Sequence, residues 1–507
     1  MRSPRFRPLS RVAAALSLAA LVVAGGGAPA LAGTSPALPD GSKTGELVLT
    51  KLQSPPTNLP HNGTQQNVSN KPVVGATFSV QKVNNVDLTT DAGQSAAVSL
   101  SGSADLSSND RATATVCGNS SYGCGTAQTG VTDANGVIDL ANLPLGLYLV
   151  EETDSPAGTT VSVPFLVSIP LTDPNNQSSW MYKVYVYPKD DVVNATKTVK
   201  DDAVAALGQT FDWTILTDIP SRASDPKPNI DAYEITDQLD SKLDYVGADV
   251  SLTDGTSLAS GTDYTITPAG ATSGGPLVDI VFTAAGRAKL LAHSSAQVKV
   301  VLHTSANATG QIVNTANLYP DNNSKVRKHP VVTPPVYSKW GEITILKQKT
   351  GDSATKLAGA QFQVYLSQAD AAAGTNPISI PAGSSTNTWT TDANGIASIS
   401  GLRYSCFADN VTLTDPATAP NPPCQHYWVV ETKAPPGYEL QAEPIKVDVA
   451  SNDPATVDVT VSDPPANNGF PLPLTGGPGV TLVYLGGLLL LAGAGAVTVS
   501  SLRRRGH

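Results

Sequence analysis

Cysteine is scarce in this chain. There are four in 507 residues, with two methionines and six histidines. The histidines are scattered, without the close mutual spacing that a zinc or iron site needs. Aromatic residues make up 6% and charged residues 15%. There is no glycine-rich loop of the kind that cradles a phosphate. Apolar residues seldom recur at helical spacing. These shortages argue against a metal centre, a bound nucleotide and a helical bundle. Positive charge is also in deficit, with 32 Lys and Arg against 42 Asp and Glu and a formal net charge of −10. Residues 1–32 and 476–507 hold arginines and no acids, so the part between them is more acidic still. Such a surface argues against nucleic acid and against an anionic membrane face as partners.

What is abundant is Thr, Val, Ser, Asn, Gly and Pro, in short alternating runs between turn residues. This predicts an all-β protein built of sandwiches. The length suits roughly three or four domains. The first residues carry Arg2, Arg5, Arg7 and Arg11, then an apolar run from Val12 to Val23 and the small residues Ala30-Leu31-Ala32. This reads as a secretory signal over 1–32. Export makes disulfides the natural state of Cys117, Cys124, Cys406 and Cys424. Three pairings are formally possible. The local one, Cys117 with Cys124 and Cys406 with Cys424, is favoured because the pairs fall in different predicted domains. At the other end, Leu472-Pro473-Leu474-Thr475-Gly476 precedes an apolar run from Val480 to Leu502 and then Arg503, Arg504 and Arg505. The run is long enough to cross a bilayer as a helix, with the arginines on the cytoplasmic side.

An internal repeat organises the middle. Glu46 to Leu52 reads as a strand, followed by Val74 to Val80, a turn at Asp133-Ala134-Asn135-Gly136 and a strand from Leu147 to Thr153. The same order returns with Gly341 to Lys347, Leu357 to Phe362, Asp392-Ala393-Asn394-Gly395 and Tyr427 to Tyr438. Four matched segments in one order predict two domains of one fold. The Asp-Ala-Asn-Gly turns lack the remaining ligands of a calcium loop. Between them the pattern differs, which predicts a second kind of domain. The predicted divisions are 45–190, 191–336 and 337–465, with 466–507 as a C-terminal signal. Linkers are expected at 189–195 and 330–335.

Trp180 to Lys189 reads as one strand. Val184 and Val186 share one face, and Pro188 should end regular pairing, leaving Lys189 exposed at a rim. Together with Leu472-Pro473-Leu474-Thr475-Gly476, this stretch resembles the pilin motif and sorting signal of the shaft pilins of Gram-positive, sortase-assembled pili. The repeated domains resemble the B-type, and the central one the A-type, immunoglobulin-like domains of that class. The resemblance implies a cell-surface subunit covalently anchored to the cell wall. A sortase would cleave between Thr475 and Gly476 and join Thr475 to Lys189 of the next identical subunit, head to tail. Lys183 is the nearest rival but sits mid-strand. The partners implied are a class C-type pilus sortase, a housekeeping sortase, peptidoglycan and possible minor pilins, with the receptor unnamed. No cofactor and no metal are implied. An alternative is a singly anchored or ancillary adhesin.

The resemblance also implies self-made isopeptide bonds, in which a buried lysine attacks an Asn or Asp beside a carboxylic acid. Strand alternation selects the inward members. In the central domain these are Lys197 rather than Lys200, Asp237 as the acid, and Asn314 rather than Asn317. In the last domain they are Lys347, Glu431 and Asp463, with Asp where many relatives have Asn. The first domain has Lys51 and Glu152 in the matching places. Its last strand is the pilin motif, which offers no inward Asn or Asp, so no bond is expected there. An enzyme reading rests only on Ser353-Ala354-Thr355-Lys356 and Lys349-Thr350-Gly351, which mimic penicillin-binding motifs in the wrong order. Lys43-Thr44-Gly45 shows how readily that match arises.

Overall fold

The structure, a computed structural model, describes residues 38–466 apart from 58, 224, 226–227, 417–420 and 454–455. The N-terminal signal and the segment 467–507, with the Leu-Pro-Leu-Thr-Gly motif and the apolar run, lie outside the described residues. Among those described, no helix is long and apolar enough to cross a membrane.

The chain forms three β-sandwiches. In the first, Gly45–Thr50 is the central strand of a three-stranded sheet. Lys183–Val186 lies parallel to it, with Leu47 opposite Val184, and Val137–Leu143 lies antiparallel on its other side. The facing sheet runs Gln128–Val131, Thr77–Lys82, Gly146–Asp154, Phe165–Ile169. Apolar residues at alternate positions, Leu47, Leu49, Phe78, Val80, Val150 and Val184 among them, close the space between the sheets.

The third sandwich repeats this plan. The latter half of Val336–Lys349 is flanked by Val459–Asp463 in parallel and Ile396–Arg403 in antiparallel. The facing sheet runs Trp389–Thr390, Gln361–Tyr365, Tyr427–Lys433, Ile445–Val447. The sequence repeat is thus one topology used twice. The central sandwich differs. A sheet of Ala195–Lys200, Thr210–Asp218, Gln297–Ala306 and Leu243–Leu252 faces a five-stranded sheet that includes Glu234–Gln238 and Asn317–Tyr319. Ala195–Lys200 alternates buried and exposed without a break.

The structure departs from the sequence reading in three places. First, Trp180 to Lys189 is not one strand. Asn176–Met181 pairs with Leu171–Asp173, Lys183–Val186 joins the first sheet, and Lys189–Asp190 forms a separate short strand beside Leu52–Gln53. Pairing resumes after Pro188, because proline lacks only the donor and its carbonyl accepts from Leu52 N–H at 3.1 Å. Second, a thirteen-residue helix, Asp91–Ser103, capped by Thr90, leads into two further short helical segments ending at Cys117. Its helical spacing is hard to see because only Gly93, Ala97 and Leu100 are buried on it. Third, the expected linkers are packed joints. Val331–Val332 pairs with Asn317–Tyr319, and the strand Val336–Lys349 pairs first with Gly310–Asn314 of the central sandwich and then with the third. Ala205 and Ala206 of the central segment pack into the core of the third sandwich.

Candidate functional site: buried lysines on carboxylates

In the central sandwich the alternation of Ala195–Lys200 turns Lys197 inward and leaves Lys200 exposed. The Lys197 ammonium is sealed against the Asp237 carboxylate, with side-chain exposures of 0% and 2%. Lys197 also lies 5.6 Å from the centre of the Trp213 ring. Asn314 is 1% exposed and its side-chain amide has no hydrogen-bond partner among the described residues, whereas Asn317 is only partly buried and its amide reaches Thr236. Burial pushes the Lys197 amine down, and burial pushes the Asp237 carboxyl up. Both shifts favour a neutral amine beside a protonated acid.

In the third sandwich Lys347, Glu431 and Asp463 converge with no side-chain exposure. Lys347 Nζ donates to Glu431 Oε2 at 2.9 Å and pairs with the Asp463 carboxylate. The lysine lies 5.7 Å from the centre of the Phe362 ring. Glu431 is further held by the backbone N–H of Gln441 at 3.0 Å, and burial pushes its pKa up. One cation between two carboxylates in a dry site leaves a net negative charge unless one acid holds a proton.

The Asp-Ala-Asn-Gly turns belong to this architecture. Gly395 has φ of +72°, its carbonyl accepts from Lys347 N–H at 2.7 Å, and a Cβ there would sit 2.3 Å from the Lys347 carbonyl oxygen. Gly136 stands on Lys51 in the same way, at 2.7 Å and with φ of +74°. Only glycine allows both the left-handed backbone and that close approach.

The first sandwich overturns the expectation of no inward acid. Asp190 is fully buried, and its carboxylate meets the Lys51 ammonium. Lys51 Nζ also donates to Glu152 Oε2 at 2.6 Å and lies 5.6 Å from the centre of the Phe78 ring. Sequence reasoning stopped the strand at Pro188. Continuing the alternation of Val184 and Val186 through the proline would have turned Asp190 inward.

Lys189 itself is 7% exposed rather than free at a rim. Its Nζ donates to the Tyr187 carbonyl at 3.0 Å, and burial, with the nearby Lys51 charge, pushes its pKa down. Lys183 is exposed and ion-paired with Glu46. The expected disulfides are both present, Cys117–Cys124 and Cys406–Cys424. Thr475 lies outside the described residues.

Three tandem sandwiches, each with a lysine sealed on one or two carboxylates, form the architecture of a shaft pilin of the sortase-assembled kind. The comparisons with known proteins agree. Residues 42–191 match the family described as Gram-positive pilin subunit D1, N-terminal domain; 192–333 match the Sgo0707 N2 domain; 415–464 match the SpaA prealbumin-like fold domain. The chain is 31% identical to fimbrial subunit type 1 of Actinomyces viscosus, covering 97% of each protein. It is 30% identical to fimbrial subunit type 2 of Actinomyces naeslundii, over 88% of this chain and 86% of that protein. The full-length major pilin SpaD of Corynebacterium diphtheriae shares the fold, with a TM-score of 0.60 at 24% identity over 85% of this chain and 99% of that one. The chain belongs to the family of Gram-positive fimbrial subunits, and it is a structural subunit of a cell-surface pilus shaft.

Proposed function

We propose that the subunits are joined head to tail by a sortase, through an amide between Lys189 and Thr475 of the neighbour, after cleavage between Thr475 and Gly476. Thr475 closes the Leu472-Pro473-Leu474-Thr475-Gly476 signal. Such a linkage repeats without closing and yields an open filament. A pilus sortase makes the joints, and a housekeeping sortase attaches the finished fibre to peptidoglycan, with minor pilins as further partners. The working domains are 45–190, 191–336 and 337–465, preceded by the signal peptide and followed by the sorting region.

In this reading two self-made bonds stabilise the subunit. The Lys197 amine attacks the Asn314 side-chain carbonyl, with Asp237 moving the protons, and ammonia leaves. The Lys347 amine attacks Asp463, with Glu431 as the acid, and water leaves. The observation that carries the reading is the burial of Lys197 on Asp237 with Asn314 also buried, and of Lys347 on Glu431 and Asp463. Tension entering at Lys189 would then bypass most of both sandwiches. The subunit is a substrate of the sortase and catalyses nothing beyond its own cross-links.

The test is the intact mass and tryptic map of reduced residues 33–475. Loss of one ammonia and one water, mapped to Lys197–Asn314 and Lys347–Asp463, is expected. An unshifted mass would remove both bonds and favour a singly anchored adhesin. In producing cells, Lys189→Arg should abolish the ladder of polymers while leaving the monomer on the surface.

A further inference from the structure

The joint between the central and third sandwiches carries an open groove of about 490 Å³, lined by Gln311, Tyr337, Lys339, Phe407 and Asn410. One side is a two-stranded ribbon, in which Gln311 stands opposite Lys339 and Val313 opposite Tyr337. Strand alternation turns these four outward, while Ile312, Ser338 and Trp340 are buried. The other side is the hairpin of Phe407–Ala408 and Val411–Thr412 from the third sandwich. Asp409 and Asn410 at its tip have left-handed backbones, with φ of +52° and +63°.

The polar groups of the groove are held in place with bonding capacity to spare. Lys339 Nζ lies 4.3 Å from the centre of the Phe407 ring, which fixes an ammonium that has no carboxylate partner among the described residues. Asn410 Oδ1 accepts from Tyr337 N–H at 3.0 Å, so its NH2 is left to meet a ligand. The Gln311 amide and the Tyr337 hydroxyl have no protein partner among the described residues. Asp409, next to Asn410 in the chain, is engaged elsewhere. Its carboxylate accepts from the Asp201 and Asp202 N–H groups at 2.8 and 3.1 Å and from Lys200 Nζ at 2.6 Å. In return Asp409 N–H donates to Asp201 Oδ1 at 2.6 Å. This clasp anchors the hairpin on the central sandwich, so the groove is formed before any ligand arrives.

We propose that this groove binds an acidic sugar residue of a glycan, a ring bearing one carboxylate and several hydroxyls. Lys339 takes the carboxylate. Gln311, Asn410 and the Tyr337 hydroxyl take the ring hydroxyls, and the partly exposed Tyr337 ring meets the C–H face of the sugar. One ammonium among uncharged donors suits a single carboxylate. A polyanion calls for several cations, and a neutral sugar would leave Lys339 unanswered. On the proposed head-to-tail linkage, on which this consequence alone rests, the groove recurs once per subunit, so weak single contacts reinforce one another along a fibre.

The test is saturation-transfer NMR on the full-length chain in detergent. The probes are methyl β-glucuronide, methyl α-N-acetylneuraminide, the neutral methyl β-glucoside and acetate. Wild type should give a several-fold stronger signal with an acidic glycoside than with methyl glucoside, and the better of the two acids identifies the kind of glycan. Lys339→Gln should bring that signal down to the neutral level with an unchanged unfolding midpoint, and Lys339→Arg should keep it. Gln311→Glu, which sets a carboxylate opposite Lys339, should abolish it. Equal signals from acidic and neutral glycosides, no signal from either acid, or acidic binding intact in Lys339→Gln would overturn the proposal. Acetate displacing the glycoside at equal concentration would reduce the groove to a plain anion site and overturn the sugar assignment. The monomer is the sample, so none of these outcomes bears on the head-to-tail linkage, which the polymer ladder tests separately.

Discussion

Lys347 and Asp463 meet across two neighbouring parallel strands, the first and the last of their sandwich, with neither side chain exposed. A parallel pair needs a long crossover between its strands, so this contact closes nearly the whole domain.

Asp463 makes the chemistry readable by mass. We expect Asp463→Asn to retain the cross-link with ammonia as the leaving group, and Glu431→Gln to lose it. Intact-mass spectrometry of the reduced protein separates these outcomes. A cross-link in Glu431→Gln at the wild-type level would exclude the acid mechanism.

The glycine of the Asp-Ala-Asn-Gly turn should matter to the bond as well as to the fold. A Cβ on Gly395 would press on the Lys347 carbonyl, and a left-handed backbone adds about 1 kcal/mol of strain. Gly395→Ala is expected to slow cross-linking in the third sandwich and leave Lys197–Asn314 unaffected. A time course of both bonds after synthesis checks this; equal rates would sink it.

The bond in the central sandwich would contribute about 4–5 kcal/mol, by analogy with closing a loop of roughly a hundred residues. Lys197→Met removes the amine and its charge together. Its expected effect on the thermal midpoint of the central sandwich is a fall of about 10–20 °C. A change of only a few degrees, with the bond demonstrably absent, would show that the covalent tie adds little to equilibrium stability.

Two cross-links would leave residues 315–346 as the folded stretch between them on the tension path. That stretch holds Asn317–Tyr319, the helix Asn322–Arg327 and Val331–Val332. Its helix grips the first sandwich through Asn323 and Arg327, both donating to the Thr153 carbonyl. Pulled through Lys189 and residue 475, the subunit should yield here, with a gain approaching about 100 Å at about 3.3 Å per residue. Single-molecule pulling that lengthens the wild-type subunit by several times this amount would contradict the two-bond reading.

The joint between the first two sandwiches should respond to pH. Arg222, almost completely buried, gathers Asp225 at 3.3 Å and donates to the Val161 carbonyl at 2.7 Å, while its backbone N–H reaches Asp191 at 2.6 Å. Burial pushes the Asp225 carboxyl from 3.8 to about 6. The folded state therefore holds a proton that the unfolded state has released between those values. Stability from this group is full below about pH 4 and is lost as pH rises through 6, on the order of 2–3 kcal/mol. Asp225→Asn is expected to flatten this slope. Urea unfolding followed from pH 4 to 7 measures it, and an unchanged slope would refute the assignment.

Much of this was legible before any coordinates. Period-two alternation picked Lys197 over Lys200 and Asn314 over Asn317, because one strand face is buried and the other is not. The repeated segments showed that the first and third sandwiches share a plan. Alternation failed where proline interrupted it, and with it went Asp190. The short helices before Cys117 escaped because Ala, Ser and Gly bury a face without marking it with large apolar side chains.

By itself the sequence determined the local facts: most strands, the Asp-Ala-Asn-Gly turns and the paired cysteines. These depend on near neighbours and on residue chemistry. Only the tertiary structure decided which acid meets which lysine, that Lys189 is covered, and that the joints are packed rather than loose. Those depend on register between strands from 40 to more than a hundred residues apart, where a shift of one residue turns every side chain to the opposite face.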